Sequence, residues 1–242
     1  MQRYFGRKLH NDILLNEDDI YHLTKVMRAR VGENIEVVAD DKVYFCEIES
    51  LKPLSIVARK LIKEDNELPN YIILLACLLK GDKMDFVLQK ATELGVSEVV
   101  LLTSERTIIK IKNHQQDLKL GRYQKILKEA AEQSKRSKIP TIQNIISFER
   151  IDEIDADLKL IAYEGNKNNL AVFNKKISSV KAGKKIAVLI GPEGGFSLGE
   201  VQSARNHGFI PIGLGSRILR AETASLYVLS VIANRLEEKK NA

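Results

Sequence analysis

The chain holds 242 residues, 44% of them hydrophobic, with 38 Lys and Arg against 32 Asp and Glu, for a net charge of +6. That apolar content excludes a disordered chain, and no apolar run approaches the roughly 18 residues that span a bilayer, the longest being Tyr71–Leu79. The N-terminus has basic residues with no apolar segment behind them, and the only cysteines are Cys46 and Cys77, so a cytoplasmic protein with reduced core thiols is expected.

Asn16 followed by three acids and then Ile20, Leu23, Val26 and Met27 predicts a short capped helix with an apolar stripe. After Gly32 the pattern turns β-rich: Ile35–Ala39, Val43–Ile48 and Leu54–Ala58, with Asp40-Asp41 as a hairpin turn and Pro53 as a break. These runs read as a small β-barrel. The polar, charged stretch Lys63–Asn70 suits a linker to a second domain. From Tyr71 strands and helices alternate. Ile72–Leu79 fits a buried parallel strand, and Asp82 opens a helix whose apolar face is Met84, Val87, Leu88, Ala91 and Leu94, closed by Gly95. Val99–Leu102 is a strand, and Leu118–Lys138 is a long helix with Tyr123, Ile126, Leu127, Ala130 and Ser134 facing inward. Strands follow at Leu158–Ala162 and Ile186–Ile190. Ser197 and Glu200 form a capping box with a Phe196/Val201 staple, predicting a helix over Leu198–His207. Phe209–Leu214 is one more strand, and Glu222–Leu236 closes the chain as a helix. The result is a β-barrel over residues 1–68 and an α/β domain with a mostly parallel sheet over 71–242.

Charge is unevenly placed. Residues 1–70 carry 11 basic against 13 acidic side chains, whereas 105–140 carry 10 basic against 4 acidic. That stretch is either a solvated helix face or a phosphate-tracking surface. In α/β sheets ligands bind at the carboxyl ends of strands, which directs attention to two loops. One reads Ile190-Gly191-Pro192-Glu193-Gly194-Gly195-Phe196, with glycines that permit positive φ and close backbone approach. The other runs from Leu214-Gly215 through Arg217, Arg220 and Glu222 to Ala224. Either alone could be a tight turn; together they favour a site. No G-x-G-x-x-G follows a strand, no P-loop and no G-x-S-x-G is present, and His10, His22, His114 and His207 pair with neither each other nor cysteine, so no metal site is expected.

At these residues the chain resembles the bacterial RsmE family, small-subunit ribosomal RNA uridine N3-methyltransferases of the SPOUT superfamily. The resemblance rests on His22-Leu-Thr-Lys-Val-Met-Arg28 with Gly32, Lys80-Gly-Asp-Lys-Met-Asp85, Lys90-Ala-Thr-Glu-Leu-Gly95 and Ser104-Glu-Arg106. It continues through Glu129-Ala-Ala-Glu-Gln-Ser134 with Arg136, Gly191–Phe196, and Leu214-Gly215 with Arg217–Ala224. It implies a PUA-like barrel followed by a SPOUT α/β knot, a trefoil-knotted methyltransferase domain. It also implies S-adenosylmethionine as cofactor, held through backbone groups at Leu189, Gly191, Gly194, Gly195, Leu214, Gly215, Ile218 and Leu219. A homodimer acting on 16S ribosomal RNA or the 30S subunit is the implied assembly. Uracil N3 must lose a proton as it takes a methyl group, so a cation or a base is needed. Arg220 is the candidate cation and Glu193 or Glu222 the candidate base, each glutamate being equally readable as a helix N-terminal carboxylate. Arg28, Arg106, Lys125, Lys128, Lys135 and Arg136 are candidate RNA contacts. Two alternatives stand beside this reading: a SPOUT ribose 2′-O-methyltransferase on tRNA or large-subunit RNA, and a non-catalytic RNA-binding assembly factor.

Overall fold

The computed structural model of the chain describes residues 1–64, 66–109, 111–166 and 170–240; Asp65, in the expected linker, and Lys110, in the basic stretch, lie outside them. The chain forms two compact units: Met1–Glu67 with Ala131–Lys138, and Leu68–Ala130 with Ile139–Ala242. A linear reading places a boundary beside Glu67 but leaves residues 131–138 out of the first unit.

The first unit is built on a six-stranded sheet of β1 (Arg3–Phe5), β2 (Arg7–Leu9), β3 (Asp12–Leu14), β4 (Asn34–Ala39), β5 (Lys42–Leu51) and β6 (Leu54–Ile62), in the order β1-β4-β5-β6-β3-β2. β1 runs parallel to β4 and the other pairs are antiparallel. Asp40 and Asp41 sit at φ +51° and +57° between paired Ala39 and Lys42, the two left-handed positions that a two-residue hairpin needs for its twist. Inward-pointing Ile35, Val37, Cys46, Ile48 and Ile56 make a small core with Tyr4, Ile13 and Leu23. The helix expected after Asn16 does form, as α1 (Glu17–Tyr21), with the Asn16 side chain accepting from the Asp19 amide at 2.8 Å. The next turn, His22–Val26, is π-helical, with the Met27 amide donating to the His22 carbonyl. The wider i→i+5 turn takes the sequence out of phase with a 3.6-residue stripe, so Leu23 is buried while Val26 and Met27 are exposed, contrary to the periodicity reading.

Residues 131–138 belong with this unit for an electrostatic reason. The Arg3 side chain is fully buried and donates to Glu36 at 2.9 Å, to Glu64 at 2.6 Å and to the Lys135 carbonyl. Lys135 meets Glu36 at 2.7 Å, and Arg136 meets Glu67 at 2.6 Å. Glu67 also accepts from the backbone amides of Ser137 and Lys138. These bonds replace helical ones, and Lys135 is left-handed at φ +61°. The long helix predicted to run to Lys138 therefore stops at Gln133.

The second unit is a six-stranded sheet in which every pair is parallel: β7 (Tyr71–Cys77), β8 (Glu98–Thr103), β9 (Thr141–Ser147), β10 (Leu158–Ala162), β11 (Lys185–Ile190) and β12 (Phe209–Ile212), in the order β12-β10-β11-β7-β8-β9. Parallel strands are covered on both faces, which is why β7 and β11 read as continuous apolar runs. Ile72, Leu74, Ile186, Val188 and Ile190 face one core, shared with α2 (Lys83–Glu93), α3 (Asn113–Gln133), α4 (Leu170–Ser179) and α6 (Ala221–Lys240). Ile73, Leu75, Ala187 and Leu189 face the other, shared with α5 (Leu198–Asn206) and a short 3₁₀ segment holding Phe148 and Ile151. Asp82 occupies the N-cap position of α2 but its side chain makes no capping bond. β9 and α4 escape the sequence reading: β9 interrupts its apolar residues with Gln143 and Asn144, and α4 carries only Phe173 and Ile177 as buried anchors. β12 ends at Ile212, two residues before its predicted end, releasing Leu214 into the following loop.

Candidate active site

Strand order decides where the two glycine loops go. β10 lies between β11 and β12, so the loop after β11 and the loop after β12 flank its carboxyl end and enclose a cleft of about 750 Å³, open mouth included.

The walls differ in chemistry. Leu214, Ile218 and Leu219 of the second loop, with Ile190, Ala221 and Ala224, form an apolar wall. The first loop contributes Gly191, Pro192, Glu193, Gly195 and Phe196. Gly195 is left-handed at φ +65° and Gly215 at φ +105°, both regions that a Cβ disfavours. At Gly191 a Cβ would stand 3.1 Å from the Phe196 ring, so glycine there is a packing requirement that lets the ring close the loop from below. A third segment, Ala162, Tyr163 and Glu164 at the end of β10, closes the floor; nothing in its sequence is unusual, and only the strand order could have pointed to it.

Seven of the eight expected cofactor residues lie in these two loops. Gly191, Gly195, Leu214, Gly215, Ile218 and Leu219 line the cleft. Gly194 is in the first loop but faces Arg106, whose Cβ is 3.3 Å from where a Gly194 Cβ would project. Leu189 lies one residue before the end of β11, its side chain buried in the core beneath the sheet while Ile190 lines the cleft, so any contact it makes there is through its backbone.

The acids are distinguished by their partners. Glu193 accepts from the Lys80 amide at 3.3 Å and faces Lys83 at 3.4 Å. Burial pushes its pKa up, but backbone amides, its own and that of Lys80, and the Lys83 ammonium outweigh that and hold it below the ordinary carboxylate value. Glu222, in the first turn of α6, has one oxygen 3.8 Å from Lys83 and a second that is buried with no hydrogen-bond partner among the described residues. Lys83 thus joins the two glutamates from the first turn of α2. Glu200 makes the capping box of α5 and also accepts from the Glu105 amide at 2.8 Å, tying the loop after β8 to the end of the first glycine loop.

The basic candidates also separate. Arg106 donates to the Gly194 carbonyl at 2.9 Å, bracing the first loop. Arg220 is exposed and immediately precedes α6, while Arg217 is the guanidinium that lines the cleft. Arg28 is exposed in the left-handed region, and Lys125 is exposed on α3 with Lys128 half-buried one turn on. Lys135 and Arg136 are engaged with Glu36 and Glu67, Arg136 at only 5% side-chain exposure. Among the described residues no group of His, Cys, Asp and Glu could hold a metal ion, and no helix is long and apolar enough to cross a membrane.

An all-parallel α/β unit with a glycine-lined cleft at its strand ends, joined to a small β unit, defines a class: residues 66–233 match the RNA methyltransferase domain family and residues 15–61 the RNA methyltransferase PUA domain family. Across 98% of each chain it is 32% identical to ribosomal RNA small subunit methyltransferase E of Bacillus subtilis. It is 30% identical to the enzyme of that name from Neisseria gonorrhoeae, whose crystal structure with S-adenosyl methionine superposes with a TM-score of 0.85 over 97% of both chains. A Legionella pneumophila methyltransferase in complex with bound SAM gives a TM-score of 0.86 at 28% identity, again over 97% of both chains. The chain belongs to the ribosomal RNA small subunit methyltransferase E family.

Proposed function

We propose that this protein transfers a methyl group from S-adenosylmethionine to N3 of a uridine in 16S ribosomal RNA, using the cleft between the loops after β11 and β12. The observation that carries the reading is the cleft itself: two glycine loops on either side of the β10 strand end, with an apolar wall, in a chain of this family. The residues fit the cofactor. Leu214, Ile218, Leu219 and Ala224 offer an adenine-sized apolar surface, and the left-handed Gly195 and Gly215 admit a ligand against bare backbone. Bound there, the cofactor supplies an electrophilic methyl group on a sulfonium.

The chain's own work is to orient the base and to manage its proton. Glu193, held ionised by Lys83 and two amides, is a poor proton acceptor and serves better to fix the loop. Glu222, beside the cleft-lining Ala221 and outside the cleft lining itself, keeps a buried oxygen without a partner among the described residues and is the candidate to receive the N3 proton through a water. Arg220 faces solvent at the α6 end of the second loop, where an incoming nucleotide would arrive, and its charge would stabilise the developing uracil anion. Arg28, Arg106, Lys125 and Lys128 supply RNA contacts; Lys135 and Arg136 serve the fold of the first unit instead.

The knotted SPOUT arrangement belongs to the same proposal, supported by a strand order in which β10 separates the two loops that build the cleft. So do the homodimer, the 16S RNA or 30S subunit as partner, and a cytoplasmic setting. Gly195→Val tests the cleft: a β-branched residue at φ +65° is strained and would project into it, so S-adenosylhomocysteine binding by calorimetry should disappear while melting stays cooperative. Unchanged affinity would remove this loop from the site.

A further inference from the structure

Glu164 is a carboxylate that lines the cleft and makes no hydrogen bond or ion pair with any described residue. Its position is built, not incidental. The Tyr163 amide donates to the Ile212 carbonyl at 3.0 Å, pinning the end of β10 to β12, and Tyr163 packs on the core beneath the sheet. A side chain at Gly165 would collide with the Tyr163 ring, so glycine there allows the tight 3₁₀ turn that carries Glu164. Both Glu164 oxygens stand 3.8 Å from where a Gly195 Cβ would project. They stand within van der Waals reach of a glycine that offers no side chain of its own.

We infer that Glu164 is a cofactor-recognition residue that accepts hydrogen bonds from the two adjacent ribose hydroxyls of S-adenosylmethionine. The inference rests on the cofactor cleft proposed above. An adenosyl ligand has an apolar heteroaromatic end, a diol in its middle and a charged amino-acid end. With the ring against Leu214, Leu219 and Ala224, the next group along the ligand is the diol, and β10 lies between the two loops, at the middle of the cleft. A carboxylate with two open oxygens is the acceptor that matches two neighbouring O–H donors. Arg217 is the cation lining the same cleft, and it could only repel an ammonium there, whereas a neutral diol is indifferent to it.

The test is calorimetric titration of Glu164→Gln with S-adenosylhomocysteine and, by displacement, with 5′-methylthioadenosine, which keeps both hydroxyls and lacks the amino acid. Glu164 is exposed, so the variant should melt as the parent does. The inference predicts that affinity for both ligands falls by about ten- to a hundredfold, the worth of charge-assisted hydrogen bonds. Loss confined to S-adenosylhomocysteine would mean that Glu164 takes the ammonium group, and loss with neither would mean that it takes no part; either overturns the inference. Gly195→Val in parallel separates the two levels. If that variant binds both ligands normally, the cleft assignment is wrong; if it binds neither while Glu164→Gln binds both, only the role of Glu164 fails.

Discussion

A guanidinium assists this displacement only where it meets charge that appears as uracil N3 gives up its proton. In the proposed reaction that role falls to Arg220, exposed immediately before α6, whereas Arg106 is committed to the Gly194 carbonyl and Arg136 to Glu67. Arg220→Ala should lower the single-turnover rate by about one to two decades, the equivalent of roughly 1.5–3 kcal/mol, with little change in cofactor affinity. If melting temperature and cofactor affinity fall together instead, the arginine is structural. The basic residues make the same point about partners. Lys125→Glu with Lys128→Glu should weaken RNA binding and reduce its salt slope by about one unit for each phosphate that the helix no longer neutralises. Lys135→Met should act on stability instead, because Lys135 hydrogen-bonds Glu36 at 2.7 Å. Burial raises the Glu36 pKa, but Lys135 and Arg3 outweigh it and hold the group below its ordinary 4.5. The interaction therefore stabilises the fold above that pH and is lost as pH falls through the depressed value. Urea titrations should show Lys135→Met weaker than the parent by about 1 kcal/mol at neutral pH, with the gap closing in acid; a gap that persists would point to packing.

At the scale of elements, α5 shows what can be read from sequence and what cannot. Ser197, Glu200, Phe196 and Val201 announce a capped helix start by spacing alone, and the structure has that capping box, with the Glu200 side chain accepting from the Ser197 amide. The second oxygen of Glu200 takes the Glu105 amide, a contact between residues 95 positions apart that no local pattern encodes. Ser197→Ala should therefore cost about 1 kcal/mol, as caps do, and Glu200→Ala about 2–3 kcal/mol, since two backbone amides lose a charged acceptor. Equal losses in chemical denaturation would mean that the Glu105 bond contributes nothing. The same contrast runs through the fold. β4, β5, β7 and β11 are readable because alternation or continuous apolarity marks their faces. β1, β2 and β3 are three residues each, too short to show a period, and the π turn after α1 breaks the period that predicts its buried face.

For the whole molecule, the candidate site is visible in the sequence as two glycine loops, but the strand order that brings them together is not. Glu164 and Tyr163 have no motif; they join the cleft because β10 lies between β11 and β12. Leu189 is expected at the cofactor from family resemblance through its backbone, and the pleat of β11 turns its side chain into the core. Residues 131–138 read as the basic end of a helix, and ion pairs with Glu36 and Glu67 make them part of the first unit. The central claim concerns which atom receives the methyl group, and the chemistry of RNA gives a direct measurement. Alkali cleaves RNA through the free 2′-hydroxyl, so a methyl on the base leaves the chain cleavable and one on the ribose blocks cleavage on its 3′ side. Small-subunit RNA labelled by this protein with radioactive S-adenosylmethionine should, after alkaline hydrolysis, yield the label in a mononucleotide that digests to 3-methyluridine. Label in an alkali-resistant dinucleotide would contradict the account and assign the enzyme to ribose methylation.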